Sequence, residues 1–180
     1  MTFGNSIALA GQALRWAVRD IVTGRFPFRE FVTQTWFVIT VTTLPAILVA
    51  IPFGVIVSVQ VGSLTQQVGA TSIAGAAGGL GIIQQGAPIV TALLLGGAAG
   101  SAIASDLGAR TVREEIDAME TLGLNSTRRL VAPRFVAVLI VAPMLCMLIV
   151  FTGLVAGYIL SVNVQGITPG SYVASFASFA

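Results

Sequence analysis

The sequence predicts an all-α integral membrane protein with about three membrane-spanning helices and the start of a fourth. The chain has 180 residues, a mean hydropathy of +0.94, 56% hydrophobic residues and 9% charged residues. A soluble globular domain carries about 25% charged residues. All formal charge lies in two blocks, Arg15–Glu30 and Asp106–Arg134, which leaves residues 31–105 and 135–180 uncharged. These two uncharged stretches are the predicted membrane-embedded part.

The lengths of the uncharged stretches set the number of crossings. A hydrocarbon core of about 30 Å needs about 20 apolar helical residues per crossing. The first stretch therefore holds two predicted crossings, at residues 36–61 and 87–105, joined by a connection around residues 62–86. The second stretch holds a third crossing at residues 135–162.

The arginines predict the orientation of the chain. Both charged blocks are rich in arginine, whereas the connection around residues 62–86 and the tail 163–180 contain none. By the positive-inside rule both blocks, and the N-terminus with them, are cytoplasmic. The two predicted crossings between the blocks agree with this placement, and the tail is expected to begin on the outer side.

The N-terminal residues 3–30 are predicted to form a helix that lies in the headgroup plane. Apolar residues recur there at helical spacing with Arg15, Arg19 and Asp20 between the later ones, a pattern typical of interfacial helices. The same pattern also fits an amphipathic helix packed on the rest of the protein.

The residue types that are missing exclude several chemistries. The chain has neither lysine nor histidine, so it cannot bind nucleotide through a P-loop lysine or use histidine in catalysis or metal binding. Cys146 is the only cysteine and lies in an apolar run, so no disulfide forms within the chain. We therefore predict no catalytic residues, no metal site and no cofactor.

Small and polar residues mark candidate positions for helix packing or for a cavity. Glutamines at membrane depth usually face protein or a water-filled space, and small residues let helices approach closely in lipid. Gly153 and Gly157 form a Gly-x-x-x-Gly sequence. This spacing of small residues fits either packing within the chain or a subunit interface. The cavity or packing candidates are Gln84, Gln85, Pro88, Gly97, Gly100 and Ser101.

The second charged block begins with a predicted acidic helix, residues 106–123. Asp106 is placed to cap its first amides and Gly123 to end it in the left-handed conformation. Arg110 with Glu114 and Arg113 with Asp117 are spaced as i,i+4 pairs. Five of the seven acidic residues lie between Asp106 and Glu120, which fits docking to a basic partner groove, with Met119 as an adaptable contact. A solvated connector between two spans is the alternative.

Four segments follow one another along the second half of the chain. They are Gly86-Ala-Pro-Ile-Val, Gly97-Ala-Ala-Gly-Ser-Ala, Glu114-Glu-Ile-Asp-Ala-Met-Glu-Thr-Leu-Gly and Ala132-Pro-Arg-Phe135. In this order and spacing they resemble the MlaE/YrbE family of ABC transporter permeases, and the resemblance covers about residues 10–180. The actinobacterial branch that works with Mce proteins is the most similar.

The resemblance implies a lipid-transporting permease of the plasma (inner) membrane. Its implied partners are a second permease subunit, a cytoplasmic ATPase that holds the ATP, and MCE proteins on the outer face. The acidic segment would be the helix that couples to the ATPase, with the contact residues Glu114, Glu115, Asp117, Ala118, Met119 and Glu120.

Three departures from the family pattern qualify this expectation. Many members have an Arg-Glu pair where Gln84 and Gln85 stand and an arginine where Ala98 stands, and most continue through further spans, so we expect this sequence to be incomplete at its C-terminus. A membrane scaffold or assembly subunit without its own transport path is the alternative. The apolar residues of the predicted spans do not distinguish between lipids, so phospholipid, fatty acid, mycolate and sterol all fit as the transported lipid.

Overall fold

The computed structural model describes residues 4, 11–12, 14–16, 19–20, 27–69, 73–123, 125–164 and 166–177. Within these residues every regular element is helical, which confirms the predicted fold class. Three π-helical segments, Ile82–Gly86, Leu95–Ala99 and Thr127–Val131, connect some of the α-helices. The α-helices are α1 (Phe28–Gln67), α2 (Ala74–Gly81), α3 (Ala87–Leu94), α4 (Gly100–Val112), α5 (Glu115–Thr121), α6 (Ala132–Asn163) and α7 (Pro169–Ala177).

Three continuous helical stretches of the described residues are long and apolar enough to cross a membrane. They are Phe28–Gln67, Gly75–Val112 and Thr127–Asn163, with 40, 38 and 37 residues. Each encloses one of the predicted crossings and extends beyond it. Most of the predicted connection at residues 62–86 is therefore helical, because α1 runs to Gln67 and α2 begins at Ala74.

The predicted N-terminal helix at residues 3–30 falls largely outside the described residues. Its last three residues, Phe28–Glu30, form the first turn of α1 instead. The backbone N–H of Phe31 donates to the carbonyl of Pro27 at 3.0 Å. Since proline fixes its own φ and lacks an N–H, it is well suited to the start of a helix.

The chain divides into two compact units that separate charge from apolar sequence. The first, here called the charged unit, comprises Met1–Thr42 and Leu95–Pro143, and the second, the apolar unit, comprises Thr43–Leu94 and Met144–Ala180. All nine arginines and all seven acidic residues fall in the charged unit.

The apolar unit is held together by close contacts between α1 and α6 at small residues. A Cβ added at Gly54 would lie 2.3 Å from the carbonyl oxygen of Gly153, and one added at Gly157 would lie 2.4 Å from Oγ of Ser58. Only glycine permits such approach, and small residues are the usual means of helix packing in lipid. Gly153 and Gly157 therefore pack within the chain, which is the first of the two predicted alternatives.

Gly86 also has a packing role in the apolar unit. A Cβ at this position would lie 2.1 Å from the ring of Phe53. Gly86 ends the first π-helical segment, and Pro88 is the second residue of α3. The Gly-Ala-Pro sequence thus combines a close aromatic contact with the change from π-helical to α-helical backbone inside one continuous helical stretch.

The tail of the chain packs against the apolar unit through α7. This helix contacts α2, and the rings of Tyr158 and Tyr172 meet edge to face with centroids 5.4 Å apart. Gly166 has a φ of +68° in the turn before α7, a conformation that favours glycine.

Candidate functional site

The predicted acidic helix is broken in two at Glu114. Residues 106–112 continue α4, so Asp106 lies inside a helix and does not cap one; that prediction was wrong. Glu114 has a φ of +58°, an uncommon left-handed conformation for a residue with a side chain. A separate short helix, α5, then runs from Glu115 to Thr121. Gly123 has a φ of +73° and ends this segment as predicted.

The break changes which charges pair in the acidic segment. Glu115 lies 3.7 Å from Arg110 and 3.8 Å from Arg113, so the predicted Arg110–Glu114 and Arg113–Asp117 pairs are replaced. Asp117 is exposed and makes no ion pair with the described residues. Asp117 is therefore a carboxylate of α5 that is available to a partner.

The other predicted coupling residues occupy different positions around α5. Glu114 is exposed in the turn before the helix, and Ala118 is exposed on it. Met119 is half-buried and lines a groove inside the charged unit, so its side chain is directed toward the protein. The backbone of Glu120 belongs to α5, and its side chain lies outside the described part.

Two large apolar side chains flank α5 and are strongly exposed. Val112, the last residue of α4, is 86% exposed and Leu122, just after α5, is 76% exposed. Leu122 was not predicted from the sequence as part of this surface. An exposed carboxylate between two exposed apolar side chains is a surface that a partner protein can cover.

An ion pair between a buried carboxylate and a partly exposed arginine ties the N-terminal segment to the residues before α6. Asp20 is 3% exposed, and Arg128 donates to both of its carboxylate oxygens, with the Nε bond at 2.7 Å. The Arg128 and Arg19 guanidinium groups lie 5.2 and 5.3 Å from the ring centroid of Trp16, within the range of cation–π attraction. These contacts fit the alternative interpretation, in which the N-terminal segment packs on the rest of the protein, and the predicted place in the headgroup plane stays a prediction.

A second polar cluster joins three helices of the charged unit. Arg134 of α6 is 3% exposed; it donates to Oε1 of Gln34 in α1 at 3.0 Å and to the carboxylate of Asp106 in α4. Asp106 also accepts from Nε of Arg110 at 3.2 Å, and Gln34 donates to Glu30 at 2.9 Å. A buried charge is costly unless it is paired, so this cluster fixes how the three helix segments meet.

The predicted cavity residues lie on the surface of the single chain. Gln84 and Gln85 are exposed in the first π-helical segment, Pro88 is exposed at the start of α3, and Gly97 is exposed in the second π-helical segment. Gly100 is half-buried and Ser101 is exposed. π-Helical segments often occur at functional positions. A role in a cavity or in helix packing stays a prediction for these residues.

The apolar unit contains an open cavity lined by α1 and α6. Its volume is about 440 Å³. Ile51 and Val55 line one side, Phe151 and Val155 the other, and Asn163 supplies a polar group at the C-terminal end of α6. Such a cavity suits a hydrocarbon chain because it offers little besides apolar contact.

Comparison with known proteins agrees with the resemblance found in the sequence. The family model described as Permease MlaE matches residues 31–180. The "Intermembrane phospholipid transport system permease protein MlaE" of Haemophilus influenzae is 34% identical over 52% of this chain and 36% of its own length. A "Probable ABC transporter permease protein" of Synechocystis is 30% identical over 88% of this chain and 60% of its own length.

A plant protein is among the similar sequences. "Protein TRIGALACTOSYLDIACYLGLYCEROL 1, chloroplastic" of Arabidopsis thaliana is 32% identical over 45% of this chain and 23% of its own length. The chain thus spans between about a quarter and three fifths of these relatives. Because the family model matches most of its residues, the chain belongs to the MlaE permease family.

Proposed function

We propose that this chain is a permease subunit of an ABC transporter that moves lipids, and that it is driven by a separate ATPase docked on the segment from Val112 to Leu122. The match to the permease family over residues 31–180 carries the transport part of the proposal. The name of one relative supports the lipid-transport part of the proposal, because it denotes phospholipid transport. We therefore propose phospholipid as the first substrate class to test.

The exposed segment around α5 supports the docking part of the proposal. The left-handed residues Glu114 and Gly123 set α5 apart as a short separate helix. Asp117 offers an unpaired carboxylate, and Val112 and Leu122 offer apolar contacts on either side. A partner that fits this surface has a basic group facing Asp117 and two apolar recesses.

We propose the remaining partners on the basis of family membership and the charge distribution. The two arginine-rich blocks favour a cytoplasmic N-terminus and a cytoplasmic α5, so the ATPase would bind on that side and hold the ATP. A second permease subunit and MCE proteins on the outer face complete the proposed complex, as in the YrbE branch. The apolar cavity of about 440 Å³ is a candidate place for an acyl chain.

Co-purification followed by a transport assay tests the proposal. The chain is expressed with a candidate ABC ATPase, purified through a tag on the permease and reconstituted with its accessory proteins in liposomes that contain labelled phospholipid. We expect the ATPase to co-elute and labelled lipid to move only when ATP is present. An ATPase that binds without any ATP-dependent lipid movement would identify a scaffold instead.

A further inference from the structure

A polar groove in the charged unit shares Met119 with the proposed docking segment, but its charged side chains lie outside that segment. It has a volume of about 640 Å³ and lies between the start of α1, the α5 helix and the residues before α6. The side chains that matter for its chemistry are Arg29, Glu30, Thr33, Met119, Arg129 and Leu130.

The groove holds two arginines whose charges are not neutralised by the described residues. Arg29 and Arg129 are exposed, and neither forms an ion pair with a described carboxylate. Arg110, Arg113, Arg128 and Arg134, in contrast, all pair with carboxylates. Glu30 is the acidic residue of the groove, and its Oε1 accepts a hydrogen bond from Gln34. The groove therefore favours an anion.

The exposed apolar side chains at the start of α1 favour a position of the groove at the membrane–water interface. Phe28, Val32 and Trp36 lie on one face of this helix and are 70%, 61% and 71% exposed. Because α1 is long enough to span the membrane, large apolar side chains that are exposed at its start are expected to contact lipid. Tryptophan is enriched at the level of the headgroups. Arg29 precedes Trp36 by seven residues, about 10 Å along the helix axis.

We infer that this groove binds the headgroup of an anionic glycerophospholipid. Arg29 and Arg129 would hold the phosphate oxygens, since guanidinium groups donate to phosphate in a bidentate manner. Met119 and Leu130 supply apolar contacts inside the groove, and the Phe28–Val32–Trp36 face lies beside it for the acyl chains. This lipid is held in place by the protein and is not transported, so the inference goes beyond the proposed function.

Native mass spectrometry of the full chain tests this inference. The protein is purified in a neutral detergent and mixed with equal amounts of phosphatidylglycerol and phosphatidylcholine, and the ratio of the two bound lipids is measured. Unaltered protein is expected to prefer phosphatidylglycerol. Arg29→Gln and Arg129→Gln should each reduce that preference about fivefold, as expected for one arginine near an anionic lipid surface. Arg113→Gln, which removes a charge outside the groove, should leave the preference unchanged.

Three results would overturn the inference. The first is an unchanged preference for phosphatidylglycerol in the double variant Arg29→Gln/Arg129→Gln. If the double variant does not elute as a folded species, an unchanged preference in both single variants counts in the same way. The second is complete displacement of phosphatidylglycerol by water-soluble glycerol phosphate, because the groove would then bind a free phosphate. The third is loss of ATPase co-purification with an unchanged lipid preference, which would make the groove a protein contact.

Discussion

Arg134 at the start of α6 is almost completely buried, and its guanidinium group donates to the carboxylate of Asp106 in α4. The second bond of Arg134, to Gln34, brings α1 into the same cluster. Asp106 is the less buried partner, with 37% of its side chain exposed. Removal of the Asp106 carboxylate therefore leaves a buried charge, whereas removal of the Arg134 guanidinium group leaves a partly exposed one.

We predict that Asp106→Ala destabilises the protein much more than a typical surface change. The substitution leaves the buried Arg134 charge without its carboxylate, and breaking a buried pair in this way costs about 3–5 kcal/mol. Asp117→Ala, which removes an exposed and unpaired carboxylate, should change stability by about 0.5 kcal/mol or less. Thermal unfolding followed by circular dichroism in detergent measures both.

The double variant Asp106→Ala/Arg134→Met supplies the control for this prediction. Removing both charges eliminates the uncompensated guanidinium group, so the double variant should be more stable than Asp106→Ala alone. If the double variant unfolds at a lower temperature than Asp106→Ala, the pair does not act through its buried charge.

The close approach of α1 and α6 leads to a prediction about Gly54. A methyl group at this position would collide with the backbone of Gly153, and overpacking of this kind costs about 1–3 kcal/mol. Gly78→Ala is the matched control, because a Cβ there meets no atom within 4 Å and alanine favours the helix by about 1 kcal/mol. We expect Gly54→Ala to lower the unfolding midpoint and Gly78→Ala to leave it unchanged or raise it; equal effects would contradict the packing explanation.

The proposed orientation is tested by labelling single cysteines in intact spheroplasts. In a Cys146→Ala background, Val68→Cys just after α1 should react with an impermeant thiol reagent, whereas Asn125→Cys should react only after lysis. Both positions are exposed, so access to the reagent depends on the side of the membrane. Labelling of Asn125→Cys from outside would refute the cytoplasmic placement of α5.

The sequence predicted the parts of the fold that depend on local composition. Uncharged runs located all three long helices, because the need for about 20 apolar residues per crossing acts on each segment separately. The Gly-x-x-x-Gly pair at Gly153 was recognised as a packing feature for a similar reason. Its partner Gly54 was not predicted, since a contact between distant segments depends on how the helices pair.

The site was less predictable because its geometry depends on contacts between distant residues. Asp20 and Arg128 are 108 positions apart, and no local pattern indicates that they pair. The break at Glu114 was missed because the sequence Arg-Glu-Glu is compatible with a continuous helix. Only the left-handed backbone at Glu114 separates α4 from α5 and leaves Val112 exposed. The signal available in the sequence was an apolar residue at each end of a charged segment, Val112 and Leu122.

We propose that α5 couples the ATPase to lipid transport, and substitution of Asp117 tests this coupling. Asp117→Arg places a positive charge against the proposed basic surface of the ATPase, and such like-charge contacts can cost several kcal/mol. Asp117→Glu keeps the charge at the same position and serves as the matched control. Both substitutions are at an exposed side chain, so the membrane fold is expected to be unaffected.

ATP-dependent transfer of labelled phospholipid by the reconstituted complex is the most direct measurement of this claim. We predict that Asp117→Arg weakens ATPase binding about tenfold or more, which corresponds to about 1.4 kcal/mol or more, and lowers the rate of lipid transfer with it. Asp117→Glu should transfer lipid at a rate close to that of the unaltered protein. If Asp117→Arg binds the ATPase and transfers lipid as well as Asp117→Glu does, α5 is a solvated connector and the account of coupling is wrong.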